Sequence, residues 1–189
     1  MEVSILEEHG YENAIRGLAY SFKDRANPVD EWWTEDKFTK MIKTANSLVN
    51  REGGHNKWLE SVMLWIDIEA PRYWWSEFDT YRVGMTKQSE STMHTLRKRD
   101  VTQEDFEMPL PPSLLDAVNI ERHNSVEKVK AVLPESYLQR RMVVTNYKCL
   151  RNIIFQRHDH KLKLWQYFCE EIYLQSNYPE LLPPREKLK

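Results

Sequence analysis

The chain has 189 residues, 30% of them charged, and its 27 Lys plus Arg against 29 Asp plus Glu give a net charge of −2. That length suits a single domain with a substantial core, and the charge balance excludes a generic binder of phosphate backbones, which would be strongly positive. The five Gly form neither G-x-G-x-x-G nor G-x-x-x-x-G-K-[ST], which excludes Rossmann and P-loop nucleotide sites.

Val3 and Ile5 predict a short strand over Met1–Leu6. Tyr11, Ile15, Leu18 and Phe22 recur at helical spacing, as do Phe38, Met41, Ile42, Ala45, Leu48 and Val49, with Asn27-Pro28 breaking the pattern between them. Val62, Leu64, Ile66 and Ile68 alternate with Met63, Trp65, Asp67 and Glu69, the period of a strand with one buried face. Pro71 ends that strand and suits the start of a helix that puts Trp74 or Trp75, Phe78 and Tyr81 on one face. Residues 83–95 are polar and β-leaning without a regular period, and 102–112, with three Pro and several acids, read as a surface loop. A helix is predicted over Leu114–Val132 with a break near His123–Ser125, a strand over Arg141–Thr145, and helices over Asn146–Phe155 and around Leu162–Ile172. The tail from Pro179, with Pro183-Pro184 and closing lysines, is expected to be flexible. The expectation is one helix-rich α+β domain over residues 1–189.

No apolar run approaches the ~18 residues of a membrane span. The first residues lack a basic-then-apolar leader, and two Cys make no disulfide framework, so the expected setting is cytoplasmic. His158-Asp159-His160 is badly spaced for a metal, which would need further ligands, and reads as a polar helix–helix corner. Arg140-Arg141, Lys148, Arg151 and Arg157, interleaved with Thr145, Asn146 and Asn152, are either a solvated face or an anion pocket. Trp32-Trp33 and Trp74-Trp75 suit a core or an interface. No Ser, Cys or His stands in a recognised nucleophile context.

Three segments carry a family resemblance. Gly54-His55-Asn56-Lys57-Trp58-Leu59-Glu60, followed by the alternating strand, resembles the G-H-x-x-x-x-E-H entry of the flavin-dependent thymidylate synthases, with Ser61 in place of the second His. Arg82 to His94 is similar to that family's R-H-R-x-x-S-x-N-E-x-S-x-R signature: Arg82 and Glu90 keep their separation, Ser89 stands for the Asn and Thr92 for the Ser. Leu133-Pro134, Thr145 to Asn152 and Arg157 resemble the L-P…T-x-N-x-R-S-L-x-N-F-x-x-x-R run, with Lys148 for the Arg and Lys130 as an upstream cation. Together the matches cover about residues 50–180.

The resemblance implies an antiparallel sheet flanked by helices. It also implies a homotetramer (or a dimer) with sites between subunits, where the seven Trp would serve as interface residues. It implies FAD as cofactor, a dUMP-like nucleotide as substrate, methylenetetrahydrofolate as one-carbon donor and NADPH as reductant. The activity implied is a methyltransferase making thymidylate without a protein nucleophile. Arg82, Glu90, Thr92, Lys130 and Arg157 would then meet the nucleotide, while His55, Ser89, Asn146, Lys148 and Asn152 would face the flavin. The chain departs from the pattern at Val83-Gly84, where the family has His-Arg, at Lys87 in place of Ser, and at His94 in place of the last Arg. A second register places Lys87-Gln88 at the Asn-Glu pair. Two other readings stand beside the enzyme: a nucleotide-binding or assembly paralogue that has lost flavin chemistry, and nucleic-acid binding through residues 140–163, which the charge balance disfavours.

Overall fold

A computed structural model describes residues 1–24, 26, 28–51 and 54–188, with only the backbone of Val29 and Asp30. Asn27 and Lys189, assigned above to a break and to the tail, lie outside these residues. The strands β1 (Glu2–His9), β2 (Met63–Pro71), β3 (Thr86–Ser89) and β4 (Leu138–Asn146) form one antiparallel sheet in the order β1-β2-β4-β3. The helices are α1 (Tyr11–Ala19), α2 (Val29–Trp32), α3 (Glu35–Leu48), α4 (Arg72–Phe78), α5 (Thr92–Lys98), α6 (Pro112–Asn124), α7 (Val126–Val132), α8 (Tyr147–Arg157) and α9 (Lys163–Gln175). The expected α+β class, an antiparallel sheet with helices, is what the chain adopts. The β2 alternation is as anticipated, with Val62, Leu64, Ile66 and Ile68 fully buried. No described helix is long and apolar enough to cross a membrane.

The chain divides into two compact units. The first comprises Met1–Ser4, Asp67–Arg82 and Thr86–Val143. Here Pro71, in extended conformation, ends β2 and starts α4, whose first free N–H groups find backbone acceptors: Arg72 N donates to Tyr137 O and Tyr73 N to Glu135 O. Both Trp74 and Trp75 are buried with Phe78, and the Trp75 indole N–H donates to Gln139 O at 2.8 Å. The irregular stretch 83–95 resolves into β3 and α5. Residues 102–112 are not a plain surface loop, because Phe106 pairs with Tyr137 and joins a core cluster of Leu96, Val101, Val118, Val129 and Leu133. The break between α6 and α7 falls at Ser125, whose hydroxyl caps α7 by accepting from Lys128 N.

The second unit comprises Ile5–Ile66, Val83–Met85 and Val144–Lys189. Gly10 turns β1 into α1 with φ +91, pressed so close to the Ser61 carbonyl that no Cβ fits. The buried face of α1 is Ala14, Ile15 and Ala19, while Phe22, expected on that stripe, is exposed in the following turn. α1 packs on α3 and on the 3-10 turn Lys57–Ser61, and α8 packs on that turn and on α9. The tail is not loose as far as Arg185: Leu181 and Leu182 are buried, Arg151 donates to Leu181 O, Tyr173 donates to Pro183 O, and Arg185 pairs with Glu170. Five of the seven Trp are buried within the chain, at 32, 58, 74, 75 and 165, so the tryptophans serve this chain's own core first, contrary to their expected interface role.

Candidate functional site

In the second unit the chemistry gathers at the start of α8. Asn146 is its N-cap, with Oδ1 accepting from Cys149 N at 3.0 Å. The turn 83–85 is clasped to the same place, because the Thr145 hydroxyl donates to Gly84 O at 3.1 Å and the Cys149 thiol donates to Val83 O at 3.3 Å. Burial pushes the Cys149 thiol up, against opposing hydrogen bonds from Thr145 and Asn146, so it remains a protonated donor and a poor nucleophile.

Lys148 donates to the side-chain oxygen of Asn56, which is almost wholly buried and whose Nδ2 donates to Val49 O at 3.0 Å. Asn152 is exposed one turn further on and accepts from Gln156 Nε2. Lys148, Asn152 and Gln156 therefore share one outward face of α8, while Tyr147, Leu150, Ile153 and Ile154 fill the buried one. Tyr147 anchors the helix: its N donates to Val62 O and its hydroxyl donates to Glu8 at 2.6 Å and meets Ser176 Oγ. At the other end Arg157 lies over the Trp165 ring at 4.6 Å and beside His160 Nε2 at 2.9 Å. His55 is exposed and lines an open cavity of about 650 Å³ together with Ser21, Lys57, Trp58 and Glu60.

In the first unit, Glu90 lines a cavity of about 440 Å³ with Glu69, Thr95, Lys98, Arg99 and Tyr137. Burial raises the Glu90 carboxyl above the usual carboxylate range, Glu69 adds to the rise, and the Arg140 backbone N–H and charge oppose it. Ser89 ends β3 exposed, Thr92 opens α5, Arg82 is exposed in the loop after α4, and Lys130 is exposed in the last turn of α7. Lys87 is committed elsewhere, donating to Asp79 at 3.1 Å, to the Phe78 carbonyl at the end of α4 and to the Tyr81 carbonyl in the loop that follows.

The cation run does not make one anion pocket. Arg140 pairs with Glu2, Asp67 and Glu69, and Arg141 with Asp79 over the Trp75 ring. Arg151 is buried and donates to Leu181 O and Asn50 Oδ1. His158 and His160 turn the corner between α8 and α9, and among the described residues no group of His, Cys, Asp or Glu could hold a metal. Motif reading missed the buried Asn56 clasp, which only its place beside His55 could have suggested.

No protein-family model matches the sequence, and no curated protein matches it. Solved structures match in shape. The flavin-dependent thymidylate synthase ThyX of Helicobacter pylori complexed with FAD and dUMP is 18% identical with a TM-score of 0.77, over 96% of this chain and 98% of its own. A second structure of that enzyme with FAD and dUMP is also 18% identical, with a TM-score of 0.79 over 100% of both chains. The UMP/dUMP methylase PolB of Streptomyces cacaoi, bound with 5-Br dUMP, is 13% identical with a TM-score of 0.65, over 99% of this chain and 93% of its own. The chain thus has the fold of the flavin-dependent thymidylate synthases along its whole length, the family that three short segments of sequence resemble.

Proposed function

We propose that this protein is an FAD-dependent transferase that passes a one-carbon unit to a deoxyuridylate-like pyrimidine nucleotide, forming thymidylate. The observation that carries the reading is α8, which presents Lys148 and Asn152 on one outward face with Asn146 at its start and Arg157 at its end, in a fold whose solved relatives hold FAD and dUMP. The stripe of Lys148, whose ammonium is held by Asn56, and the exposed Asn152 fits a flavin, whose ring edge carries carbonyl acceptors.

In this reading His55, Ser89, Asn146, Lys148 and Asn152 hold the FAD, and Asn146 is the most firmly oriented because its oxygen is fixed by the helix start. FAD held by these residues would supply the redox chemistry for one-carbon transfer, with methylenetetrahydrofolate as the donor and NADPH as the source of electrons. Arg157, with Arg82 and Lys130 as further cations, binds the nucleotide phosphate or pyrimidine, and Thr92 supplies a hydroxyl. Glu90, whose carboxyl lines the cavity of the first unit, is suited to accept a hydrogen bond from a pyrimidine N–H. The protonated Cys149 supports this chemistry without acting as a nucleophile. The assembly that goes with the reading is a homotetramer, with a dimer as the smaller form, and light scattering from a monomer at micromolar concentration would count against both.

The test is the visible spectrum of the purified protein, followed by thermal shift with FAD and with dUMP. A yellow protein, or a midpoint raised by about 5–10 °C at saturating ligand, is expected. A colourless protein that neither compound stabilises refutes the reading. Gly84 favours a second reading, a nucleotide-binding or assembly paralogue without flavin, because the cation of the resembled signature is missing there. Stoichiometric FAD in the purified protein would dispose of it.

A further inference from the structure

The corner between α8 and α9 gives His160 a role that the His158-Asp159-His160 run did not show. Two donors meet its ring. Arg157, the last residue of α8, brings a guanidinium nitrogen to Nε2 at 2.9 Å, and the Leu162 backbone N–H lies 3.2 Å from Nδ1. Neither donor gives up its proton, and a neutral imidazole has one bare nitrogen to offer. The shorter, charge-assisted contact claims it, so Nε2 accepts from Arg157 and Nδ1 keeps the ring proton.

The rest of the corner fixes ring and cation against each other. The His160 backbone N–H donates to Arg157 O at 3.1 Å, and the His160 carbonyl accepts from Gln166 Nε2 at 2.9 Å, which ties the turn to α9. Trp165, fully buried, lies under the Arg157 guanidinium at 4.6 Å and edge-on to the His160 ring at 6.3 Å. Further charged or titratable side chains around the corner are engaged or exposed. His158 Nδ1 donates to Ile154 O at 3.1 Å, Lys163 donates to Gln166 Oε1 at 3.2 Å, and Asp159 and Lys161 are exposed. On α9, Cys169 feels the charges of Arg157 and Glu170, but burial pushes its thiol up to about 12, so it stays uncharged throughout the acidic range.

We propose that His160 is the positioning residue of Arg157 and works as a proton-operated latch. Neutral, the ring holds the guanidinium over Trp165 at the end of α8. Protonated, it turns a donor and a positive charge toward a cation 2.9 Å away, and lets go. Holding a rotamer-rich arginine in place removes an ordering cost from any binding it takes part in. The latch therefore makes nucleotide binding acid-sensitive; that consequence rests on the reading that gives Arg157 to the nucleotide, whereas the latch itself does not.

The test compares the full-length protein with His160→Gln, whose amide oxygen accepts but does not titrate, with His160→Leu, and with His158→Gln as the control for the neighbouring imidazole. In long-range proton–nitrogen NMR spectra at about pH 8, where imidazoles are neutral, the histidine signal missing from His160→Gln should show a bare Nε2 and a proton on Nδ1. By calorimetry, the unaltered protein and His158→Gln should lose about tenfold more dUMP affinity between about pH 8 and 5.5 than His160→Gln does, the second proton of the phosphate being common to all. His160→Leu should bind dUMP about tenfold more weakly already at about pH 8, with His160→Gln within about threefold of the unaltered protein. A bare Nδ1 on His160, or the same pH dependence in His160→Gln as in the unaltered protein, overturns the latch while leaving the nucleotide reading intact. Failure of the unaltered protein to bind dUMP at either pH overturns the nucleotide reading instead, and the NMR spectrum then decides the latch.

Discussion

Replacing Asp79 by Asn removes a carboxylate shared by two cations that have little solvent of their own. Arg141 contacts it at 3.0 and 3.1 Å and Lys87 at 3.1 Å, and the side chains of Arg141 and Lys87 are 16% and 15% exposed. At ~3 Å a unit charge pair is worth about 1.4 kcal/mol in water and about 5.5 kcal/mol at an effective dielectric of 20. Asp79 itself is 46% exposed, so screening pulls the value toward the lower figure. We expect Asp79→Asn to cost about 2 kcal/mol, or about 4–8 °C in thermal midpoint. Burial alone would raise this carboxyl, but the hydrogen bonds and charges of Arg141 and Lys87 outweigh it and hold the pKa below the usual carboxylate range. A depressed folded pKa contributes stability in full above the unfolded value of about 3.9, and that stability is lost as pH falls through the lower folded value. Urea unfolding of both proteins should therefore show a constant gap from about pH 7 to 5 that closes between about pH 4 and 2. A gap below about 0.5 kcal/mol at pH 7, or one that persists undiminished at about pH 2, would refute the shared-carboxylate account.

Other substitutions test the frame of α8 and its neighbours. Tyr147→Phe removes the hydroxyl that meets Glu8 and Ser176, and should cost about 1–2 kcal/mol in urea unfolding; an unchanged midpoint would mean the hydroxyl is not an anchor. Gly10→Ala forces a Cβ onto the Ser61 carbonyl at a positive φ and should cost more than about 2 kcal/mol, so a fully stable variant would contradict the turn. Trp58→Phe keeps most of the buried ring and deletes an indole N–H that has no acceptor among the described residues. It should change stability by less than about 1 kcal/mol, whereas Trp58→Ala should cost about 3–5 kcal/mol; equal losses in the two would show that the N–H matters.

Much of the architecture was legible because burial imposes a period on the chain. The alternation from Val62 to Ile68 names both a strand and its buried face, and the α6–α7 break is marked by Ser125, a residue suited to cap a helix. Elements with few apolar residues were not legible. α5 carries one buried residue, Leu96, and β3 none, so their place depends on partners far along the chain, such as the Glu90 N–H bonded to Arg140 O. Phe106 was hidden for the same reason, since prolines and acids around it read as a loop until Tyr137 pairs with it.

The candidate site divides along the same line. Sequence alone determined the residue types on α8, since Asn146, Lys148, Asn152 and Arg157 keep the order of a known motif and helical spacing puts Lys148 and Asn152 on one face. It also determined that a cation is missing at Gly84. Only tertiary structure decided what each charge is spent on: Lys87 on the end of α4, Arg141 on Asp79, and Arg151 on the tail. Only tertiary structure, likewise, set Gly84 against Asn146 and Cys149, more than sixty residues away in sequence. The physical reason is range. Periodicity and capping act within a few residues, whereas the pairing of a buried charge or amide is settled by whichever distant group the folded chain brings within hydrogen-bond reach.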